Sequence, residues 1–516
     1  MDPTTPAEEG VTRGADPSVP SGLPAVPSGP MALALCAAFI ASGALLRLIP
    51  CFNNFWLDEI WSYFAARELK SPLEVLTTIH HSNNNHLYTL LMYLLGDRTH
   101  WAVYRIPSFL AGLGATALAA ALAWRRDRLE AVWAALLTSF CFALINFSSE
   151  ARGYSLAVFF ALAAFGLLSR DLEAPRPRTA LAFGLLVVLG FLSHLTYMFF
   201  YAGAVMWSVL EIRPREAGGR SRALHLLRLH LFPILCFLAL YWIDLRKMQI
   251  GSGDHLPLPH LISLTLGYGL GFPALDALAI PYALLAAAVL VLALRPLWTE
   301  RGPWSLYLIT VVLAPVIVFT LAHPVVIAVR YFVIGIAFYL LLLARLLARL
   351  CREGVRRRAL ALAAGALFLI GNLAHTSAFL REGRGGYLKA LRFMADHTQG
   401  SQIMTGFDND FRSGIVARFY LRYLPPGKEI QYYSIGHWPA QGPEWVIVHR
   451  VERPPQRQTQ MTDGAGNPYA LVAEYDYAGA SGFYWAVYHN LRVGERVPAL
   501  PALGEPGGGA SPAGDR

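Results

Sequence analysis

Charge is what this chain has least of. Asp, Glu, Lys and Arg together make up 15% of its 516 residues, while 55% are hydrophobic. A soluble domain carries roughly 25% charged residues, so an ordinary soluble enzyme is excluded and a polytopic membrane protein is expected. Cysteine is also sparse. Cys36, Cys51, Cys141, Cys236 and Cys351 lie in or beside apolar runs and form no CxxC pair. That excludes a disulfide framework and a thiolate metal site, and leaves them as small core residues. No P-loop or GxGxxG element stands out, which argues against a nucleotide-linked substrate. No tandem repeat is visible, and the first thirty residues lack the short basic stretch of a signal peptide.

What the chain does have is apolar runs. A spanning helix needs about 20 apolar residues. About eleven candidates begin near Met31, Ile106, Leu129, Tyr154, Ala180, Leu195, Leu229, Ala279, Trp304, Tyr331 and Ala359. The formal net charge of +9 follows from where arginine sits between them. Clusters occur at Arg125–Arg128, Arg170–Arg178, Arg213–Arg228, Arg295–Arg301 and Arg345–Arg358, which is every second connection. Basic residues of this kind set membrane orientation, so they call for no nucleic acid partner. The positive-inside rule puts the N-terminus in the cytoplasm. Loop 51–105, the 148–154 turn, loop 244–278 and the 323–330 turn then face the other side, as does everything after Phe379. Residues 1–30 and 496–516 read as disordered tails, rich in Pro and Gly. Between 380 and 495 the text changes. "EWVIVHRV", "YALVAEYDY" and "FYWAVYHNL" read as strands, and "GGYLKALRFMADHT" as an amphipathic helix, giving a small extracytoplasmic α+β domain.

The outer loops hold the unusual residues. Asp58 and Glu59 stand in "FWLDEIWSYFAAREL", at the start of a helical pattern and among Phe55, Trp56, Ile60 and Trp61. Carboxylates are favoured in a first helical turn, which is one reading. The other is a functional pair, because ionisable groups beside hydrocarbon are costly. "HHSNNNHLYTLL" carries Asn85 and His86 into an apolar helix. Its spacing matches no metal-ligand motif, so a divalent cation has no support there, and hydrogen bonding to a sugar or phosphate suits these side chains. Glu150 and Arg152 end two spans, either as an interfacial ion pair or with the guanidinium holding a phosphate. His323, Arg330 and Tyr331 sit at another outer end, where an arginine is out of pattern.

In order, the outer-loop "DE", "AREL", "NNNHLYTLL", "RIPSFLAGL", "EARGYSL" and late "RYF" resemble the GT-C membrane glycosyltransferases. The nearest branch is family-39-like, the protein O-mannosyltransferases and lipid A aminoarabinose transferases with their bacterial relatives. The resemblance runs from about Met31 to Leu350. It implies a GT-C catalytic module over residues 31–379, in a bacterial plasma membrane, with the active site outside. It implies a polyprenyl-phosphate-linked sugar donor and a glycan, lipid or protein acceptor. The family's catalytic Asp falls on Asp58, its neighbour on Glu59, and the turn arginine and tyrosine on Arg152 and Tyr154. The family's "HPPL" corresponds to "NHLY", with His86 in the histidine place and both prolines absent.

The chemistry fits these side chains. A departing polyprenyl phosphate needs cationic stabilisation, for which Arg152 and Arg330 are candidates, and the acceptor hydroxyl needs a base, for which Asp58 is the candidate. One carboxylate acting directly implies inversion, by analogy with inverting glycosidases. A transporter or lipid flippase is the rival reading. It would favour internal duplication and mid-membrane charge, neither of which stands out.

Overall fold

A computed structural model describes residues 27–212, 219–251, 256–322, 326–454 and 456–493. His323, Arg213, Arg215 and almost all of both expected tails lie outside these residues. The first helix, Gly29–Leu48, begins inside the expected N-terminal tail. Ser28 Oγ accepts from Met31 N–H at 3.4 Å, and Pro30 occupies the first turn, where its missing N–H costs nothing.

Among the described residues, eight helices are long and apolar enough to cross a membrane. The bent pair Arg128–Phe140 and Phe142–Ser148 makes nine if it is one span. The expected spans near Ala180 and Leu195 form shorter helices, Pro177–Ser193 and Tyr197–Glu211, of 17 and 15 residues. The arginine-rich connections gather at one end of the bundle. Arg352 pairs with Asp127 and Arg126 with Glu130, Arg345 reaches Glu300 at 2.7 Å, and Arg125 reaches Glu173 at 3.6 Å. The exposed pairs among these add little stability. Their value is positional, because connections far apart in the chain share one face.

The 59° bend has a physical cause and a repair. At Cys141 the helical ladder stops, which strands the carbonyls of Thr138 and Ser139. Arg47, fully buried in the first span, donates to them at 2.7 and 2.9 Å. Asn372 of the last long helix, Val355–Glu382, accepts from Phe142 N–H at 2.7 Å and starts the second half. Without water, each unsatisfied backbone group costs several kcal/mol.

After Gly383, whose φ of +67° lets the chain turn, comes the helix Tyr387–His397 and a six-stranded sheet. Its strands are β1 (Gln402–Phe407), β2 (Glu429–Tyr433), β3 (Trp445–Arg450), β4 (Gln460–Thr462), β5 (Pro468–Tyr475) and β6 (Tyr484–Asn490), in the order β2-β1-β3-β6-β5-β4. β1 runs parallel to β2 and β3, and the other pairings are antiparallel. The helix Asp410–Tyr420 makes the β1–β2 crossover. β3, β5, β6 and the helix at 387–397 coincide with the segments read from sequence. β1, β2, β4 and the crossover helix do not. β2 is an edge strand with an exposed, polar pattern, and the crossover helix carries Gly414 among its polar residues, so both patterns are weak.

This domain is seated on the first outer loop. Tyr420 Oη donates to the Phe55 carbonyl at 2.9 Å, and the Phe55 and Phe419 rings stack at 5.5 Å. Arg422 pairs with Asp97 at 2.7 Å. One buried apolar cluster contains residues of both.

Candidate active site

Asp58 and Glu59 open the helix Leu57–Glu68. Successive helical residues point about 100° apart, and the two carboxylates part company. Glu59 is fully buried. It accepts from Arg105 Nε and Nη2 at 2.7 and 2.6 Å, and from the backbone N–H of Ala151 at 2.6 Å and Trp56 at 3.3 Å. Arg105 also donates to the carbonyls of Cys51 at 2.9 Å and Asn54 at 2.9 Å. Glu59 therefore stitches the first loop to the helix Ala102–Trp124 and to the 150–153 turn, and it does not face a cavity.

Asp58 does. Its side chain is 15% exposed and lies between two cavities. Among the described residues none donates a hydrogen bond to its carboxylate. Its nearest cation is Arg330, Nη1 to Oδ2 at 3.5 Å. The Asp58 carbonyl, by contrast, is well held, accepting from Ser62 Oγ at 2.9 Å and Asn83 Nδ2 at 3.1 Å.

The smaller cavity, about 320 Å³, runs in among the spans, where Phe191, Leu195, Met198, Phe199, Val318 and Phe319 make an apolar wall. Its polar wall holds Asn85, His86, Arg152, Tyr154, His194 and Tyr331. The larger, about 690 Å³, lies between the first loop and the C-terminal domain. Asp58, Trp61, His81 and Arg330 line both.

Each polar residue is placed by a neighbour. Arg152 is 3% exposed, and its Nη1 donates to Ser62 Oγ at 2.6 Å and to the Asn83 carbonyl at 2.8 Å. Its Nε has no hydrogen-bond partner among the described residues. No ion pair joins it to Glu150, so the interfacial-pair reading does not hold. Glu150 instead accepts from Trp56 Nε1 and Ser481 Oγ, both at 2.9 Å, and burial raises its pKa. Asn85 Oδ1 accepts from Gly153 N–H at 3.0 Å. A Cβ on Gly153 would lie 1.8 Å from the Ser193 carbonyl, so only glycine lets this turn meet the 193–197 turn. Tyr154 packs against the His194 ring at 4.9 Å, and Arg330 lies over the rings of Trp56 at 5.9 Å and Tyr331 at 5.7 Å.

His86 bonds Asp244 at 2.6 Å and His80 bonds the other Asp244 oxygen at 2.5 Å. These are direct hydrogen bonds, and no group suited to hold a metal occurs among the described residues. Two further histidines, His194 and His81, sit beside the arginines. His194 is pushed down to about 3 by burial, helped by Arg152 and Arg330, and burial also lowers His81. Thr196 N–H points at His194 Nδ1 (3.3 Å) and Asn83 N–H at His81 Nδ1 (3.0 Å). Both rings are therefore neutral at neutral pH with the proton on Nε2.

Sequence reasoning passed over Arg105, Ser62, His194 and Asp244, and took His81 and Asn83 only as part of the stretch "HHSNNNHLYTLL". For Arg105 a signal existed. It stands on the arginine-poor face, the property that singled out Arg330. The others belong to polar outer turns whose partners are distant in the chain.

No protein-family model and no curated protein matches this chain. Solved structures do. ArnT from Cupriavidus metallidurans in the apo state matches with a TM-score of 0.49 at 12% identity, over 88% of this chain and 98% of that one. The same protein bound to undecaprenyl phosphate matches with a TM-score of 0.47 at 13% identity, over 87% and 97%. The archaeal oligosaccharyltransferase AglB from Archaeoglobus fulgidus, in complex with an inhibitory peptide and a dolichol-phosphate, gives 0.44 at 12%, over 81% and 69%.

Proposed function

We propose that this protein is a membrane glycosyltransferase that moves a sugar from a polyprenyl-phosphate carrier to an acceptor on the non-cytoplasmic side, with inversion and with Asp58 as general base. The observation that carries the reading is the position of Asp58, a carboxylate to which no described residue donates a hydrogen bond, where two cavities of different character meet. A transferase needs that layout, with a donor on one side of the base and an acceptor on the other.

The smaller cavity suits the donor. Its apolar wall suits isoprenoid, and Arg330, Arg152 and His194, which all line it, are the donors available to a phosphate there. Charge developing on a leaving phosphate is stabilised most by donors already in place in a low-dielectric site. The acceptor O–H gives its proton to Asp58 while its oxygen attacks the anomeric carbon. The bond from that carbon to the phosphate oxygen breaks, and the electron pair leaves with the polyprenyl phosphate. Glu59 is a positioning residue here, and His86 and Asn85 hold the wall. In this reading the eleven helices all cross the membrane, the arginine-rich end is cytoplasmic, and no metal takes part.

The test is Asp58→Asn in the purified full-length protein. Loss of a general base costs ~10²–10⁴ in rate. A helix-start residue replaced by Asn costs well under ~1 kcal/mol. A variant with wild-type melting temperature and turnover reduced at least 100-fold is expected. An equally stable variant with near-normal turnover would overturn the assignment.

A further inference from the structure

We infer that the larger cavity is built for an uncharged saccharide, so that the acceptor is a glycan and its recognition belongs partly to the C-terminal domain. This rests on the glycosyl-transfer reading and goes beyond it by naming the acceptor class.

The wall chemistry carries the argument. Rings from three parts of the chain face this space: Trp61 of the first loop, Tyr268 of the helix Leu258–Leu270, and Phe411, Tyr477 and Phe483 of the C-terminal domain. Phe411 is 49% exposed in the first turn of the crossover helix, where a core role is absent. It meets Trp61 edge to face at 5.0 Å, across the junction between loop and domain. Between the rings stand short polar groups, Asn409 and Ser481, and the ion-pairing His260 and Glu452 at 3.0 Å. Gly479, Ala480 and Gly482 add small residues to the same wall. Flat apolar faces alternating with hydrogen-bonding rims match a sugar, whose ring carries C–H faces and hydroxyl edges.

The alternatives fit less well. Charge on the wall is balanced, Asp58 and Glu452 against Arg330 and Arg412, so a phosphate-bearing lipid headgroup finds no basic excess. One common way to hold an extended peptide is to add it as a strand to a free sheet edge. The edges of this sheet, β2 and β4, contribute nothing to the cavity.

Two measurements test this on the full-length protein. In the host lacking the gene, the envelope is separated into lipid, protein and polysaccharide fractions. Each is analysed for missing sugar, with complementation by wild type, Asp58→Asn and Phe411→Ala at matched expression. We expect the missing sugar in the polysaccharide fraction, restored by wild type and reduced about tenfold with Phe411→Ala, the scale of one lost aromatic platform. Loss confined to the protein or the phosphorylated-lipid fraction overturns the acceptor class and leaves sugar transfer standing. Separately, undecaprenyl phosphate is titrated against the purified protein and its thermal shift recorded. Phe411→Ala should shift as wild type does, because the donor cavity is untouched. A Phe411→Ala variant that loses this shift overturns the division of labour between the cavities. A wild-type protein that gives no shift, together with a host that loses no sugar when it lacks the gene, overturns the transferase reading itself.

Discussion

Arg330 Nη1 stands 3.5 Å from Asp58 Oδ2, and both line the two cavities that meet there. The contact is longer than a charge-assisted hydrogen bond, which lies near 2.7–2.9 Å, so neither group is captured by the other. A phosphate entering the smaller cavity offers the guanidinium a stronger partner and leaves Asp58 to the acceptor. Arg330→Ala should therefore raise the KM for donor by about 10–100-fold, the worth of one hydrogen bond to a charged group. Lys at this position should rescue only in part, since it supplies charge without the planar fork. Donor titration of the initial rate for the three proteins decides it. Unchanged donor affinity in the Ala variant would remove Arg330 from phosphate binding.

Glu59 and Asp58 should separate in a stability experiment as sharply as they separate in space. Glu59→Gln leaves Arg105 buried with an uncompensated charge. Removing one member of a buried pair costs about 3–5 kcal/mol, so a large fall in melting temperature or in folded yield is expected. Asp58→Asn should melt with wild type. Equal melting of both variants would contradict the role assigned to Glu59.

Arg47→Met tests the repaired bend far from the site. It keeps much of the side-chain volume and removes the donors to the Thr138 and Ser139 carbonyls. Each stranded carbonyl costs about 1–3 kcal/mol. Thermal unfolding in detergent should show the loss, while the folded fraction keeps its donor affinity.

Acid should weaken the fold through His194. Its folded pKa is depressed to about 3, below an unfolded value of about 6.5. Between those values the unfolded chain binds a proton that the folded one refuses, so stability falls as pH drops below about 6.5. His81 adds in the same direction. His194→Gln should flatten the decline in melting temperature between about pH 6.5 and 5, above the range where most carboxylates titrate. An unaltered slope would show that His194 is protonated in the folded protein.

Much of the architecture was legible in the residues. A bilayer demands long apolar helices and places basic residues on one side. Among the described residues, eight of the eleven expected spans are helices long and apolar enough to cross a membrane, and the arginine clusters do come together at one end. The period-two segments at 445–450 and 484–490 became β3 and β6 because both faces of the sheet there are covered. The outer polar residues were legible for the opposite reason, since charge beside hydrocarbon needs an explanation.

What the sequence by itself determined is which segments are long and apolar enough to span a membrane, which residues gather at each end, and that a carboxylate pair stands at the end opposite the arginine clusters. It could not assign roles within the pair. Adjacent residues on a helix diverge, and whether each meets a cation or a cavity depends on chain segments far away: Arg105 and the Ala151 amide for Glu59, Arg330 for Asp58. The cavities too are tertiary. One is the gap between short helices that turn back at His194, and the other exists only because Tyr420 and Phe419 seat the C-terminal domain on Phe55. Hydropathy and spacing act locally along the chain, whereas a site is made by the contacts that remain when distant surfaces close on one another.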